Sequence, residues 1–295
     1  MQTTTDEISS SPLIFANSIK EALSGLKSAG SKSILLAGGT WLMRAEARQE
    51  TNNKVFVSLA GIEELHVTEV SEASIKVGSM VTHDALSKAV VGMEDLAGLF
   101  YAANNSANPA IRLMATVGGN ICTTEFAAAD LLPVLLSLDA TIELQSLSGT
   151  RKISVADFVA NGRRLTNAEL LTHIHIPRSG RFSSHTRLLM RKAGEYPVAN
   201  LSLCADFDHG GKISFVRIVV GSVEMQPKRW IGLERTILGA RAIEIDVKGL
   251  AKSHVDEFEG REGTDAPAWY RKKILPVLAS RAFSEAVLSY NMSAI

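Results

Sequence analysis

The chain is poor in sulfur ligands. Among 295 residues there are only two cysteines, Cys122 and Cys204. An iron–sulfur cluster takes about four thiolates, so this chain does not hold one with its own ligands. A zinc site would need histidines beside the cysteines at ligand spacing, and no such spacing occurs. Both thiols read as small buried hydrophobes, and a disulfide is not expected in a cytoplasmic chain. Net charge is missing as well, because 31 Lys and Arg balance 31 Asp and Glu. That argues against the broad electrostatic footprint of a nucleic-acid or anionic-membrane binder. No apolar run approaches the roughly 18 residues of a membrane span. The start, Met1-Gln2-Thr3-Thr4-Thr5-Asp6-Glu7, has neither the basic residues nor the apolar stretch of a signal peptide, so a cytoplasmic protein is expected. The Rossmann pattern G-x-G-x-x-G after a strand and the P-loop Lys-Ser/Thr are both absent. There is no internal repeat and no low-complexity segment.

What remains is an ordinary globular composition, 46% hydrophobic and 21% charged, in a chain long enough for two domains. Ser18 with Glu21 forms a capping box. Ile19, Ala22, Leu23 and Leu26 follow it at helical spacing, and Gly30 supplies a stop. Strands are expected at Ser33 to Ala37 and Val55 to Leu59, pairing into a small α/β lobe. Further strands are expected at Leu65 to Val67, Ser74 to Gly78, Thr141 to Leu144 and Leu170 to Ile176. Thr82 caps a helix, Ala127 to Leu138 is apolar enough for a buried helix, and Pro177-Arg178-Ser179-Gly180 marks a domain boundary. Beyond it, strands are expected at Thr186 to Arg191, Asn200 to Phe207 and Ile213 to Val220, the last two joined through Asp208-His209-Gly210-Gly211. Helices follow near Trp230 to Leu238 and from Ala268 to Ser289, the latter expected to kink or divide at Pro276.

Two stretches carry the chemistry. Ser33-Ile34-Leu35-Leu36-Ala37-Gly38-Gly39-Thr40 is an apolar strand emptying into a Gly-Gly turn. Leu113-Met114-Ala115-Thr116-Val117-Gly118-Gly119-Asn120 repeats the pair, with Asp130 a short way on. Glycine admits positive φ and close backbone approach, and successive amides in such turns form an anion-binding nest. Two nests would grip a diphosphate from both sides; each pair alone also reads as a plain turn.

Leu35-Leu36-Ala37-Gly38-Gly39-Thr40, Gly78-Ser79-Met80-Val81-Thr82, Ile111-Arg112 with Thr116-Val117-Gly118-Gly119-Asn120-Ile121, Ala129-Asp130-Leu131-Leu132-Pro133 and Leu170-Leu171 with Ile176-Pro177 occur in that order. The series resembles the FAD-binding medium subunit of the xanthine dehydrogenase and carbon monoxide dehydrogenase family of molybdenum hydroxylases, from about residue 12 to about residue 285. The resemblance implies an α+β fold. A two-lobed FAD-binding domain of the PCMH/vanillyl-alcohol-oxidase-like kind would span 1–178, with lobes of about 1–60 and 61–178. A small α+β domain with an antiparallel sheet would span 179–295. It also implies FAD as cofactor, a molybdopterin-binding large subunit and a 2Fe-2S small subunit as partners, and an external acceptor such as NAD, oxygen or a quinone. Composition agrees that any clusters belong to partners.

The resemblance also carries residue roles. Leu35, Leu36, Ala37, Gly38, Gly39, Thr40 and Trp41 would cradle the cofactor from one side, and Thr116, Val117, Gly118, Gly119 and Asn120 from the other, mostly by backbone amides. Asp130 would touch the ribityl or ring side; it reads equally as a helix N-terminal aspartate. Thr123 fits a hydroxyl contact or a satisfied turn hydroxyl. Leu171 fits an apolar contact or core packing. Arg191 or Lys192 falls where relatives carry a basic residue close to the flavin, with Tyr196 in reach; a solvated strand end and core burial are the other readings. Trp41 stands where relatives commonly carry an acidic residue. His173 and His175 share a strand face without an evident third metal ligand, His83 reads as a local hydrogen-bonding residue, and Arg163-Arg164 reads as a solvated or partner-facing pair. Two other functions stay open: a self-contained flavin oxidoreductase and a scaffold subunit that no longer binds flavin.

Overall fold

The structure, a computed structural model, describes residues 13–44, 54–166, 168–189 and 196–293. Three sheets organise it. The first is parallel, in the order β1-β3-β2, from β1 (Leu13–Phe15), β2 (Ser33–Leu36) and β3 (Val55–Ser58). Helix α1 (Ile19–Ala29) packs on it with Ile19, Ala22, Leu23 and Leu26 buried, the face its apolar spacing dictates. The capping box forms: Ser18 accepts the Glu21 amide, and the Glu21 carboxylate reaches back to the Asn17 amide at 2.9 Å.

The second sheet is antiparallel, in the order β4-β5-β8-β6-β7. Its strands are β4 (Thr68–Val70), β5 (Ser74–Gly78), β6 (Thr141–Ser146), β7 (Gly149–Ser154) and β8 (Leu170–Pro177). Leu65 does not join it as expected. It lies in a 3-10 turn over Glu63–His66, its side chain buried and its carbonyl taken by the Met80 amide. Helices α2 (His83–Val90), α3 (Ala97–Asn104), α4 (Pro109–Arg112), α5 (Val117–Cys122), α6 (Leu131–Ser137) and α7 (Val155–Ala160) cover this lobe. The shortest of them, α4, starts on the Asn108 cap with Pro109 in its first turn.

The third sheet runs β12-β11-β10-β9, from β9 (Phe182–Leu189), β10 (Pro197–Phe207), β11 (Ile213–Gly221) and β12 (Lys228–Arg229). Strand β10 is buried along nearly all its length because both faces are covered. Helices α8 (Ile231–Ile237), α9 (Val247–Ser253) and α10 (Ala268–Ser293) lie on one side, and α3 and α6 of the preceding lobe on the other. Gly98 allows that second contact, because a Cβ there would stand 2.9–3.0 Å from the Ser184 backbone. Helix α10 is not divided at Pro276. Leu275, Leu278, Ala279, Ala282, Phe283 and Ala286 bury one stripe of it, and that packing holds the helix together across a single missing donor.

Candidate cofactor cleft

A cleft of about 750 Å³ opens where the first lobe, the second lobe and the start of β10 meet, within the size range of small-molecule and cofactor sites. Its walls include Leu35, residues 37–42, Ser79, His83, Thr116, Gly118, Gly119, Asn120, Thr123, Phe126, Asp130, Leu171 and Tyr196. Leu36 and Val117 do not line it; Val117 is buried in the core of the second lobe. Arg191 and Lys192 lie outside the described residues.

The first Gly-Gly pair is a turn that follows β2. Gly39 has φ +70°, a conformation glycine takes without strain. Gly38 passes so close to the Met114 carbonyl that a Cβ would overlap it. Among the described residues the amides of Gly38, Gly39 and Thr40 have no protein acceptor.

The second pair is different. Gly118 and Gly119 are not in a turn but inside α5, capped by Thr116. The Val117 amide donates to Val81 O at 2.9 Å and the Gly118 amide to Ser79 O at 2.8 Å. Gly119 donates to Thr116 Oγ1 at 3.1 Å and Asn120 to Thr116 O at 2.9 Å. These amides are committed within the fold, so the expectation of a second free nest is corrected. Gly118 is required by packing instead: a Cβ would stand 2.7 Å from Ser79 Cβ. What this wall offers the cleft is side chains. Asn120 Oδ1 accepts the Leu131 amide at 3.3 Å, which leaves its amide nitrogen as a donor. Thr123 donates to Gly119 O at 2.6 Å, so its oxygen can only accept further.

Asp130 is buried at the start of α6 but makes no side-chain cap there. Its Oδ1 accepts from Asn200 at 3.0 Å, and Arg187 pairs with its Oδ2 at 3.2 Å. His185 lies at 3.6 Å. Burial alone raises its pKa, but Arg187, His185 and Asn200 outweigh it and hold the carboxyl below its usual range. Asp130 thereby ties the cleft to β9 and β10.

Trp41 and Tyr196 line the cleft as the resemblance implies, whereas Phe126 between them had no role in the sequence reading. Trp41, Phe126 and Tyr196 come from three parts of the chain and pack in series, the first pair tilted at 41° and the second edge-to-face at 64°, at centroid distances of 5.0 and 5.2 Å. Arg44 donates to the Tyr196 hydroxyl. Arg163 is buried, contrary to the solvated reading, and donates to the carbonyls of Thr124 and Phe126 at 2.7 and 3.5 Å. Its left-handed φ of +58°, beside Gly162 at +71°, turns it inward to hold that loop. His83 is buried with Nδ1 2.6 Å from Ser106 Oγ, and burial drops its pKa to about 4. Burial pushes both thiols up to about 12, so each stays protonated. Outside the cleft, Glu143 sits between His173 and His175 at 3.3 Å from each ring. Among the described residues no set of three potential ligands is arranged to hold a metal, and no helix is long and apolar enough to cross a membrane.

The chain is 27% identical over 92% of its length to the glyceraldehyde dehydrogenase medium chain of Sulfolobus acidocaldarius, covering 96% of that protein. It is 25% identical to the 6-hydroxypseudooxynicotine dehydrogenase complex subunit alpha of Paenarthrobacter nicotinovorans, over 93% of each chain. Its fold superposes on a chain of carbon monoxide dehydrogenase from Hydrogenophaga pseudoflava with a TM-score of 0.86 at 22% identity, covering 95% of this chain and 98% of that one. Residues 184–286 match the CO dehydrogenase flavoprotein C-terminal domain, and residues 7–179 match the FAD binding domain in molybdopterin dehydrogenase. With both matches in register over a continuous cleft, the chain belongs to the FAD-binding subunits of the molybdenum hydroxylase family.

Proposed function

We propose that this chain carries FAD as the electron-transferring subunit of a molybdenum hydroxylase complex. It takes electrons from a 2Fe-2S small subunit, which receives them from a molybdopterin-binding large subunit. It delivers them to an external acceptor such as NAD, oxygen or a quinone. The observation that carries the reading is the row of amides at Gly38, Gly39 and Thr40, without an acceptor among the described residues, on the wall of a cleft of about 750 Å³. The relatives' names support the complex, one being a medium chain and another a complex subunit. The two cysteines cannot ligate a cluster, so partners must supply it.

The residues fit FAD on three counts. A diphosphate needs N–H donors without a competing carboxylate, and the turn at 38–40 presents them. Gly38 brings that turn against Met114 where any side chain would be excluded, so the nest is held rigidly. Trp41, Phe126 and Tyr196 give the cleft an aromatic wall of the kind a flavin ring packs against. Ala37, Gly38, Gly39, Thr40 and Trp41 would hold the diphosphate, and Thr116, Gly118, Gly119, Asn120 and Thr123 would form the facing wall. Asp130 and Leu171 would flank the ring end, with Arg191 or Lys192 as the basic residue near it. Leu35 backs the turn, while Leu36 and Val117 act through the strand and helix that carry their neighbours. The division at about residue 178 belongs to the same reading, supported by the change of sheet between β8 and β9.

FAD supplies the redox chemistry when bound; the chain binds it, orients it and excludes water. The test is an absorption spectrum of the purified chain, with release and identification of any nucleotide. Flavin bands and FAD at about one per chain are expected for a single site. Reduction is expected only once the partner subunits are added. A chain that stays colourless in excess FAD, or a flavin reduced by an organic substrate without partners, would overturn the reading.

A further inference from the structure

Among the described residues, the side chains that line the cleft and can carry charge near neutral pH are Arg44, His83, Asp130 and Glu169. Three of them are accounted for within the fold. Asp130 pairs with Arg187 at 3.2 Å. Glu169 accepts two bonds from Arg151, at 2.7 and 3.1 Å. Burial keeps the His83 ring neutral, its pKa dropped to about 4. Arg44 is the exception, because no acidic residue pairs with it. Its guanidinium donates to the Tyr196 hydroxyl and lies 5.8 Å from the centre of the Tyr196 ring. Both partners are neutral, and Arg44 is exposed, so the contact is weak and exchangeable. A guanidinium presents five donors in a fork that matches phosphate and carboxylate oxygens. Here that fork meets a single hydroxyl.

The backbone ties this cation to the turn at 38–40. The Met43 amide donates to Gly39 O at 2.9 Å and the Arg44 amide to Trp41 O at 3.1 Å. The chain therefore curls from the amides that lack an acceptor directly to Arg44, which closes the 3-10 turn Leu42–Arg44. An extended arginine arm is longer than the rise of one helical turn, about 5.4 Å, and this arm starts about one turn from the amides. The charges agree. The diphosphate of FAD carries two negative charges, and backbone amides answer them with partial charge only. The P-loop lysine that would add a full charge is absent from this sequence. The cleft's carboxylates are already neutralised by arginines of their own, so they do not compete for Arg44.

We propose that Arg44 is the counter-cation of the FAD diphosphate and exchanges the Tyr196 hydroxyl for phosphate oxygens when the cofactor binds. The inference rests on the FAD-binding role of the cleft. The test uses the flavin-stripped 295-residue chain as wild type, Arg44→Gln and Arg44→Lys. Equilibrium dialysis at low and high salt gives the affinity for FAD, for ADP, which keeps the diphosphate without the flavin, and for riboflavin, which keeps the flavin without phosphate. Loss of a charge-assisted bond is expected to weaken FAD and ADP about tenfold in Arg44→Gln and to leave riboflavin unchanged. Arg44→Lys keeps the charge without the fork and should lose only about threefold. Salt should weaken FAD binding less in Arg44→Gln than in wild type, because an exposed ion pair is gone. Equal FAD affinity in all three proteins would make Arg44 a surface residue and overturn the proposal. Weakened riboflavin with unchanged ADP would move the cation to the ring and overturn it as well. If wild type itself binds neither FAD nor ADP, the reading of the cleft fails, and this inference with it.

Discussion

The two glycine pairs share a dipeptide and little else. Gly38-Gly39 is an open turn on the cleft wall, with positive φ at its second residue and amides that no described residue accepts. Gly118-Gly119 lies in a six-residue helix whose first amides are committed to Ser79, Val81 and Thr116. The first pair is glycine for conformation and close approach; the second is glycine so that α5 can press on Ser79. One side of the cleft therefore offers backbone donors and the other side chains, an asymmetry that suits a ligand with a charged centre and hydroxylated flanks.

The largest effect that would test this contrast comes from Gly38→Ala. The new methyl would overlap the Met114 carbonyl, backbone that cannot rotate away. A loss of about 3 kcal/mol of stability is expected, with FAD content of the purified chain falling at least tenfold. A stable variant with full FAD would show that the turn is not the binding element.

A second test reads the packed side through pH. Burial holds the folded pKa of His83 at about 4, against 6.5 for an ordinary histidine. The unfolded chain thus binds a proton between those values that the folded chain refuses. Stability from this residue is complete above about pH 6.5, is lost as pH falls toward 4, and is level below it. The wild type should lose about 3 kcal/mol relative to His83→Gln across that window, measured by urea unfolding at the two ends. Equal pH dependence in both proteins would refute a buried neutral histidine.

The finest test sets Gly118→Ala beside Gly39→Ala. Gly118→Ala gains helix propensity of about 1 kcal/mol but crowds Ser79, for a net loss of about 1–2 kcal/mol. Its affinity for FAD should change less than its melting temperature suggests. Gly39→Ala meets only the side chains of Met43 and Leu36, at 3.4 and 3.7 Å, and pays the left-handed cost of about 1–2 kcal/mol. Its FAD affinity should fall about tenfold, because the amides lose their aim. If the two variants rank the same way in stability and in affinity, the asymmetry of the cleft is wrong.

Much of the fold could be read in advance where the signal was local. Ser18 with Glu21 started α1, Thr82 started α2, and Asp208 to Gly211 turned β10 into β11. Helix α3 and strand β7 escaped notice because α3 is apolar on most sides and β7 is mostly exposed and charged, so neither shows clean amphipathic periodicity. In the site, the first turn and the acidic Asp130 were visible as motifs. The aromatic series, the inward turn of Arg163 and the reach of Arg44 to Tyr196 were not. Each depends on segments far apart in the chain.

By itself, then, the sequence determined what short-range chemistry can determine. It set the helix caps, the Gly-Gly turn after an apolar strand, the absence of cluster ligands, and an ordered set of motifs sufficient to indicate a flavin subunit. The tertiary structure decided which glycine pair keeps its amides and which gives them up, because that depends on whether other carbonyls arrive to accept them. Here Ser79 and Val81 accept amides of α5, while no described residue accepts the amides of the turn at 38–40.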